Sequence, residues 1–383
     1  MTVQDHRPWG HMRGDGVRVL IVGAGIAGLA AARALRGWGA AVEIIERTAA
    51  PMSEGTGIYL PGNAVRALNS LGLGAQVAEF AVCIERQRVA DHRGRLLFDI
   101  EMADVWNGVG PCVALHRAEL HQVLLAGARD VPIRWGHSPQ AVTVDDAGVT
   151  VKFSDGGSDR YDLVLGADGL HSTVRRLVFD APTPRPVGQY AHRFVVGRPE
   201  AAPMWSVLLG RNSSFLTIPI GDGRMYCYCD GPLTSPPPPL RELLAGYAEP
   251  VPTLLDALDE ASNGDGIGQA GAVEEVVLDS WSRGAVLLIG DAAHATSPNM
   301  AQGAAMALED AVVLAESLTA ADSIPDAFAA YECRRRPRTD WVLRQTHRRD
   351  RTRTLHPAAR NLVLKQFGQR IFHANYRPLR QRA

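Results

Sequence analysis

Residues 17–46 restrict the fold more than any other stretch of the chain. "VRVLIV" (17–22) is an apolar run closed by glycine, the pattern of a strand buried on both faces of a parallel sheet. Gly23-Ala24-Gly25-Ile26-Ala27-Gly28 follows, then the Ala/Leu-rich "LAAARALRGWG", a helix ending near Gly39, and "AVEII", a second strand with Glu46 at its end. Strand, glycine turn, helix and strand in this order form the unit that binds a dinucleotide. Gly23 permits the tight turn, Gly25 lets backbone approach a pyrophosphate, and Gly28 lets the helix pack on the strand. Ile26 and Ala27 open the helix whose N-terminus faces the phosphates. Glu46 can accept hydrogen bonds from both hydroxyls of an adenosine ribose. The motif alone does not choose between NAD and FAD. A second match, Gly266 to Gly271, follows the polar "LDEASNGD" rather than a strand, and we expect a loop there.

The chain has 383 residues, more than one compact core usually holds, which predicts two lobes. A hydrophobic share of 46% and a net charge of -1 predict a soluble globular protein and offer nothing to nucleic acid. No apolar run approaches the ~18 residues of a membrane span, and residues 1–16 lack the apolar core of a signal peptide and read as a flexible N-terminus. Five cysteines without C-x-x-C or metal-ligand spacing fit reduced thiols in a cytoplasmic protein with no metal.

Further along, "GTGIYLPGNAVRALNSLGLG" (55–74) reads as a glycine-rich turn and a short helix, and "RQRVADHRGRLLFDI" (86–100) as a hairpin turning at Arg93-Gly94. "VALHRAELHQVLLAGA" (113–128) has helical spacing. Alternating strands fill 187–230, and "EEVVLDSW" and "AVLLIGD" return to parallel-strand character. The expected fold is α/β: a Rossmann-type lobe (17–80, 105–185, 275–325) interrupted by an antiparallel lobe (81–104, 186–274) and followed by a helical region (326–383). From Tyr331 onward fifteen Arg or Lys face three acids, which reads as a solvated helical surface covering the lobes.

Three signals stand in fixed order: the Gly23-x-Gly25-x-x-Gly28 unit with Glu46, Gly166-Ala167-Asp168-Gly169 with "HSTVRR", and Gly290-Asp291 with the small-residue loop "AAHATSPNMAQGAA". Together they resemble the single-component FAD-dependent aromatic monooxygenases, the family of p-hydroxybenzoate, salicylate and urate hydroxylases. The resemblance implies that Asp291 binds the flavin ribitol and that Pro298 to Gly303 lies against the isoalloxazine ring. Backbone N–H groups of Gln302 and Gly303 would aim at its N1–C2=O edge, where reduced flavin carries negative charge. Ala301 stands where the family usually has glycine, tolerable if its φ is ordinary. By the same resemblance Arg117 reaches the FAD phosphates or ribitol, Arg47 lies beside the adenosine, and Ile58-Tyr59 touch the flavin through backbone. Asp168 belongs to a motif linked to FAD and to the nicotinamide pyrophosphate, with a structural alternative: capping the next helix and pairing with Arg175 or Arg176. His294 is expected to be satisfied by nearby backbone.

The implied reaction uses NADPH or NADH as a transient co-substrate to reduce FAD, and O2 to form a flavin C4a-hydroperoxide that hydroxylates a small aromatic or phenolic substrate. Substrate walls are expected from the antiparallel lobe, where Phe215 and Thr217 share one strand face and Tyr226 and Tyr228 another; Pro298 would also touch substrate. No protein nucleophile is required. Tyr226 or Tyr228 is the candidate if a base exists. A flavin halogenase, an FAD-dependent reductase and a redox-silent FAD-binding relative stay open as alternatives, although no W-x-W pair of the halogenase kind is present. A monomer and a homodimer are equally compatible.

Overall fold

The computed structural model describes residues 13–53, 55–146, 148–180, 183–197, 202–262 and 268–383. Most of the expected flexible N-terminus, residues 1–12, lies outside them, while the Gly14 N–H already bonds the Trp38 carbonyl at 3.3 Å. The first apolar run forms the strand Arg18–Val22, whose last four residues are almost fully buried. It pairs in parallel with Ala41–Glu46 on one side and Leu163–Gly166 on the other. Ile133–Trp135 and Val286–Leu288 extend the parallel order outward, and a short antiparallel Ser282–Arg283 closes one edge. Burial on both faces accounts for the unbroken apolar runs.

The helix Ile26–Trp38 ends where Gly39 adopts a φ of 108°, a left-handed cap that returns two N–H bonds to the last turn. At Gly28 an added Cβ would lie 1.9 Å from the Gly23 carbonyl oxygen, so helix and turn meet at a distance only glycine allows.

A seven-stranded sheet builds the other lobe, in the order Gly268–Glu275, Arg185–Gly197, Arg224–Pro232, Ser214–Pro219, Met204–Leu209, Arg86–Asp91, Leu96–Glu101. Every pair is antiparallel except Met204–Leu209 with Arg86–Asp91. Two expectations are corrected here. Gly268 to Gly271, the described part of the second glycine motif, is edge strand rather than loop, because its backbone finds a ladder along Arg185–Gly197. "EEVVLDSW" is not parallel strand: it holds the end of that edge strand and then leaves the sheet. A short strand, Gly57–Leu60, also occupies part of the expected glycine-rich turn.

One face of the seven-stranded sheet packs Phe194, Phe215, Cys227 and Cys229 against the helix Val251–Ser262. The opposite face looks toward the dinucleotide unit and the C-terminal helices Ile324–Arg353 and Pro357–Tyr376. The outer faces of those helices are the basic, exposed surface expected, but several of their arginines point inward. Arg335 is wholly buried, donating to Asp310 Oδ1 at 2.7 Å and Glu309 Oε2 at 2.8 Å on the helix Gly303–Ala320. Arg338 also grips Glu309, and Arg353 is paired with the buried Asp230 of the sheet. The charges of these three arginines are spent on internal pairs because the helices lie over buried carboxylates.

Candidate active site

A cavity of about 970 Å³ runs from the glycine turn, past the loop at Pro298, to the seven-stranded sheet and the last helix. At one end it is lined by Gly25, Ile26 and Ala27. A Cβ on Gly25 would meet nothing within 4 Å, so backbone there faces open space, while Gly23, at a φ of 109°, sits with its would-be Cβ 2.5 Å from the Ala167 carbonyl. The Glu46 carboxylate lies beside this turn and accepts the Ala24 N–H at 2.8 Å. Arg47 is exposed just after it, and the pocket reaches neither Arg47 nor Glu46.

Mid-cavity, Asp291 opens a short helix whose preceding Gly290 has a φ of 59°. The Gly290 N–H bonds Asp310 Oδ2 at 2.8 Å, which fixes the turn that presents Asp291 to the cavity. Pro298–Met300 forms one 3₁₀ turn, and Ala301 follows at φ 49°, ψ 39°. The expectation of an ordinary φ is thus corrected: the chain must reverse between the 3₁₀ turn and the helix Gly303–Ala320, and a left-handed residue does it. The Gln302 side chain is buried against Asn63, Oε1 accepting at 3.0 Å, which leaves the loop's backbone as the part near the cavity. Gly303 lines it at the start of the helix, where first-turn N–H groups lack intrahelical acceptors. Thr296 Oγ1, also on the wall, is buried with no partner among the described residues.

Two further expectations change. The His294 ring bonds a buried carboxylate, Asp310 Oδ2 at 2.8 Å, instead of backbone. Asp168 caps the helix Thr173–Val178, accepting from the N–H groups of Thr173 at 2.6 Å and Val174 at 3.1 Å, and it does not line the cavity. Burial raises its pKa. Arg175 does not pair with it directly, donating to the Ala292 and Leu170 carbonyls.

The sheet end of the cavity shows which strand parity faces inward. Tyr226 and Tyr228 line it, as do Ser214, Leu216 and Ile218; Phe215 and Thr217 do not, and Phe215 packs behind the sheet. Strand side chains alternate, so the expected pair was one residue out of phase. Gly57 explains how Tyr226 is seated: a Cβ there would lie 2.3 Å from the Tyr226 Cβ, so the backbone of Gly57–Leu60 rests directly on that side chain. Tyr59 and Trp205 stack with centroids 4.6 Å apart on the adjoining wall. Arg117 lines the cavity nearby.

Burial pushes the Tyr226 hydroxyl up to about 12, with Arg193 and Arg117 pulling the other way. Tyr228 is likewise raised well above the ordinary tyrosine value, by burial and by Asp230, whose Oδ2 its hydroxyl reaches at 3.3 Å. Both are therefore neutral O–H donors at physiological pH, and neither is poised as a base. Sequence reasoning missed Arg193, which lines the cavity with its guanidinium carbon 5.3 Å from the Tyr228 ring centre and has no carboxylate partner among the described residues. An arginine inside the apolar alternation of "QYAHRFVV" was the available signal.

FAD fits what these residues offer: an open glycine turn, a carboxylate at mid-cavity and helix-start N–H groups at the far loop lie along one continuous space, with the Glu46 carboxylate beside the turn just outside it. The family described as FAD binding domain matches residues 16–227 and 254–346. Aurachin C monooxygenase/isomerase of Stigmatella aurantiaca is 33% identical over 333 residues, 83% of this chain and 84% of that protein. The FAD-dependent urate hydroxylase of Mycolicibacterium vanbaalenii is 33% identical over 362 residues, 89% of this chain and 90% of its own length. Among solved structures, Klebsiella pneumoniae HpxO complexed with FAD and uric acid superposes with a TM-score of 0.86 at 28% identity, covering 96% of this chain and 97% of that one. The chain belongs to the FAD-dependent aromatic monooxygenases of the single-component type.

Proposed function

We propose that this enzyme hydroxylates an aromatic or N-heteroaromatic ring bearing an acidic or carbonyl oxygen, with NADH or NADPH as electron donor, in the cytoplasm. Bound FAD supplies the transfer of two electrons from the nicotinamide and the activation of O2, so that one oxygen atom enters the ring and the other leaves as water. Glu46, Asp291 and the glycine turn hold that cofactor, with Ala301 to Gly303 against its ring. The seven-stranded sheet supplies the substrate wall. Arg193 faces the substrate's oxygen and favours its anionic form, while the Tyr226 hydroxyl donates to it; a ring made electron-rich in this way is the better acceptor of an electrophilic oxygen. Trp205, Leu216 and Ile218 exclude water from the ring.

The observation that carries this reading is the guanidinium of Arg193, set between Tyr226 and Tyr228 with no carboxylate partner among the described residues, on the same cavity as the cofactor cradle. The names of similar proteins agree with it, among them a 2-heptyl-3-hydroxy-4(1H)-quinolone synthase of Pseudomonas aeruginosa and a 3-amino-4-hydroxybenzoate 2-monooxygenase of Streptomyces cremeus. Its test is a screen of phenols, aromatic acids and hydroxylated N-heterocycles for accelerated NAD(P)H oxidation with matching O2 uptake and hydroxylated product. Acceleration by none of them, in protein carrying full FAD, would reject it. Asp291→Ala is expected to purify colourless and FAD-poor; a variant with full yellow occupancy rejects the ribitol assignment.

A further inference from the structure

The cavity does not stop at Arg193 and Tyr226. It continues between the outer strands of the sheet and the helix Pro357–Tyr376, walled by Val89, Val207 and Leu209 on one side and Val363, Leu364 and Ile371 on the other. Positions 363, 364 and 371 lie on one helical face. Val363 and Ile371 are 47% and 39% exposed while still lining the cavity, so the stripe runs from its wall to its rim. Leu355, at the turn between the two long helices, continues the rim and is half exposed.

Three of the arginines along this extension are occupied, and Arg348, also on the lining, is exposed at the surface. Arg353 is tied to Asp230, Arg360 donates to the Gly210 carbonyl at 2.7 Å, and Arg349 donates to the Asn299 carbonyl at 2.5 Å. Gly368 holds the gap at a fixed width, since a Cβ there would fall 2.3 Å from the Phe98 ring. What remains is an apolar corridor with a solvent-facing end, joined to a polar inner end where Arg193 lies beside Tyr226 and Tyr228 with no carboxylate partner among the described residues. A compact, wholly polar ring would leave that corridor filled only by water against aliphatic walls, which is unfavourable.

We infer that the substrate is an amphiphile, an aromatic head held at Arg193 with a linear aliphatic tail lying along the stripe from Leu364 to Val363 and Ile371. The inference rests on the aromatic-substrate reading and adds the tail. The test uses the holoenzyme and n-alkyl esters of 4-hydroxybenzoate, from methyl to octyl, with Kd read from perturbation of the flavin absorbance. Affinity is expected to rise about three- to fourfold per methylene over the first several carbons and then level off as the tail leaves the rim. In the double variant Val363→Asp/Ile371→Asp the gain is expected to fall below twofold per methylene. A Kd independent of chain length, or an unchanged gain in the double variant, overturns the tail assignment alone. If neither the esters nor short phenols perturb the flavin, the aromatic reading itself fails and the tail with it.

Discussion

Ala301 is an alanine in a conformation that favours glycine, and it sits in the loop we propose lies against the flavin. A left-handed L-residue costs roughly 1–2 kcal/mol, partly offset because glycine would lose more chain entropy on folding. Ala301→Gly is therefore expected to stabilise the protein by roughly 0.5–1 kcal/mol, read from the urea midpoint of the FAD-bound enzyme. A lower midpoint would mean that the methyl group makes contacts worth more than the strain. Arg193 and Tyr226 separate in a pH profile. If Arg193 favours an ionised phenolic substrate, Arg193→Gln moves the acidic limb of kcat/KM upward by about one pH unit, on the order of 1.4 kcal/mol. Tyr226→Phe weakens binding yet leaves that limb near its place, because the Tyr226 hydroxyl, at about 12, does not titrate in the working range. A limb that moved equally in both variants would return tyrosine to the role of base.

At the scale of elements, what was legible in the sequence was what depends on local pattern. The strand-turn-helix unit at 17–46 announces itself because buried parallel strands, glycine turns and Ala/Leu helices each leave a one-dimensional signature. The order of the three motifs revealed the cofactor for the same reason. The inward face of Ser214–Pro219 was not legible: alternation says that Phe215 and Thr217 share a face, but only the helix Val251–Ser262, far along the chain, decides that this face is the rear one. The helix Gly303–Ala320 also hides its chemistry, since Glu309 and Asp310 look like surface acids until buried arginines arrive from the next helix. Asp310 accepts from Gly290, His294 and Arg335, and these partners hold its carboxyl well below the ordinary aspartate value against the opposing effect of burial. A depressed carboxylate contributes stability that is present above the unfolded pKa and lost as pH falls toward the folded one. Asp310→Asn is thus expected to cost ~3 kcal/mol at pH 7, by leaving the buried Arg335 with Glu309 as its remaining carboxylate partner, and the gap to wild type should narrow as pH falls below the unfolded aspartate value of about 3.9. Urea titrations at pH 7 and pH 3 check both halves, and a gap that stays constant would show that the charge of Asp310 is not what matters.

For the whole molecule, the C-terminal helices join two lobes that otherwise meet around a cavity. They reach the loop after Pro298, where Asn299 pairs with Asp350 and Tyr376 donates to the Met300 carbonyl at 3.3 Å. They reach the substrate sheet through Arg353, whose Nη1 lies 2.6 Å from Asp230 Oδ2, and Asp230 in turn receives the Ser214 N–H and hydroxyl and the Tyr228 hydroxyl. Asp230 is fully buried and Arg353 is 16% exposed on the cavity wall, so removing Arg353 strands a carboxylate out of reach of water, whereas removing both strands none. Asp230→Asn and Arg353→Met are each expected to destabilise the protein by ~3–5 kcal/mol, and the double variant to lose less than their sum by at least ~1 kcal/mol. Chemical denaturation of the four proteins measures the coupling. Because Asp230 also fixes the Tyr228 hydroxyl, ligand affinity in the single variants should fall more than FAD affinity, which depends on the other lobe. If the energies simply add, or FAD is lost first, the helices cover the sheet without setting its inner face.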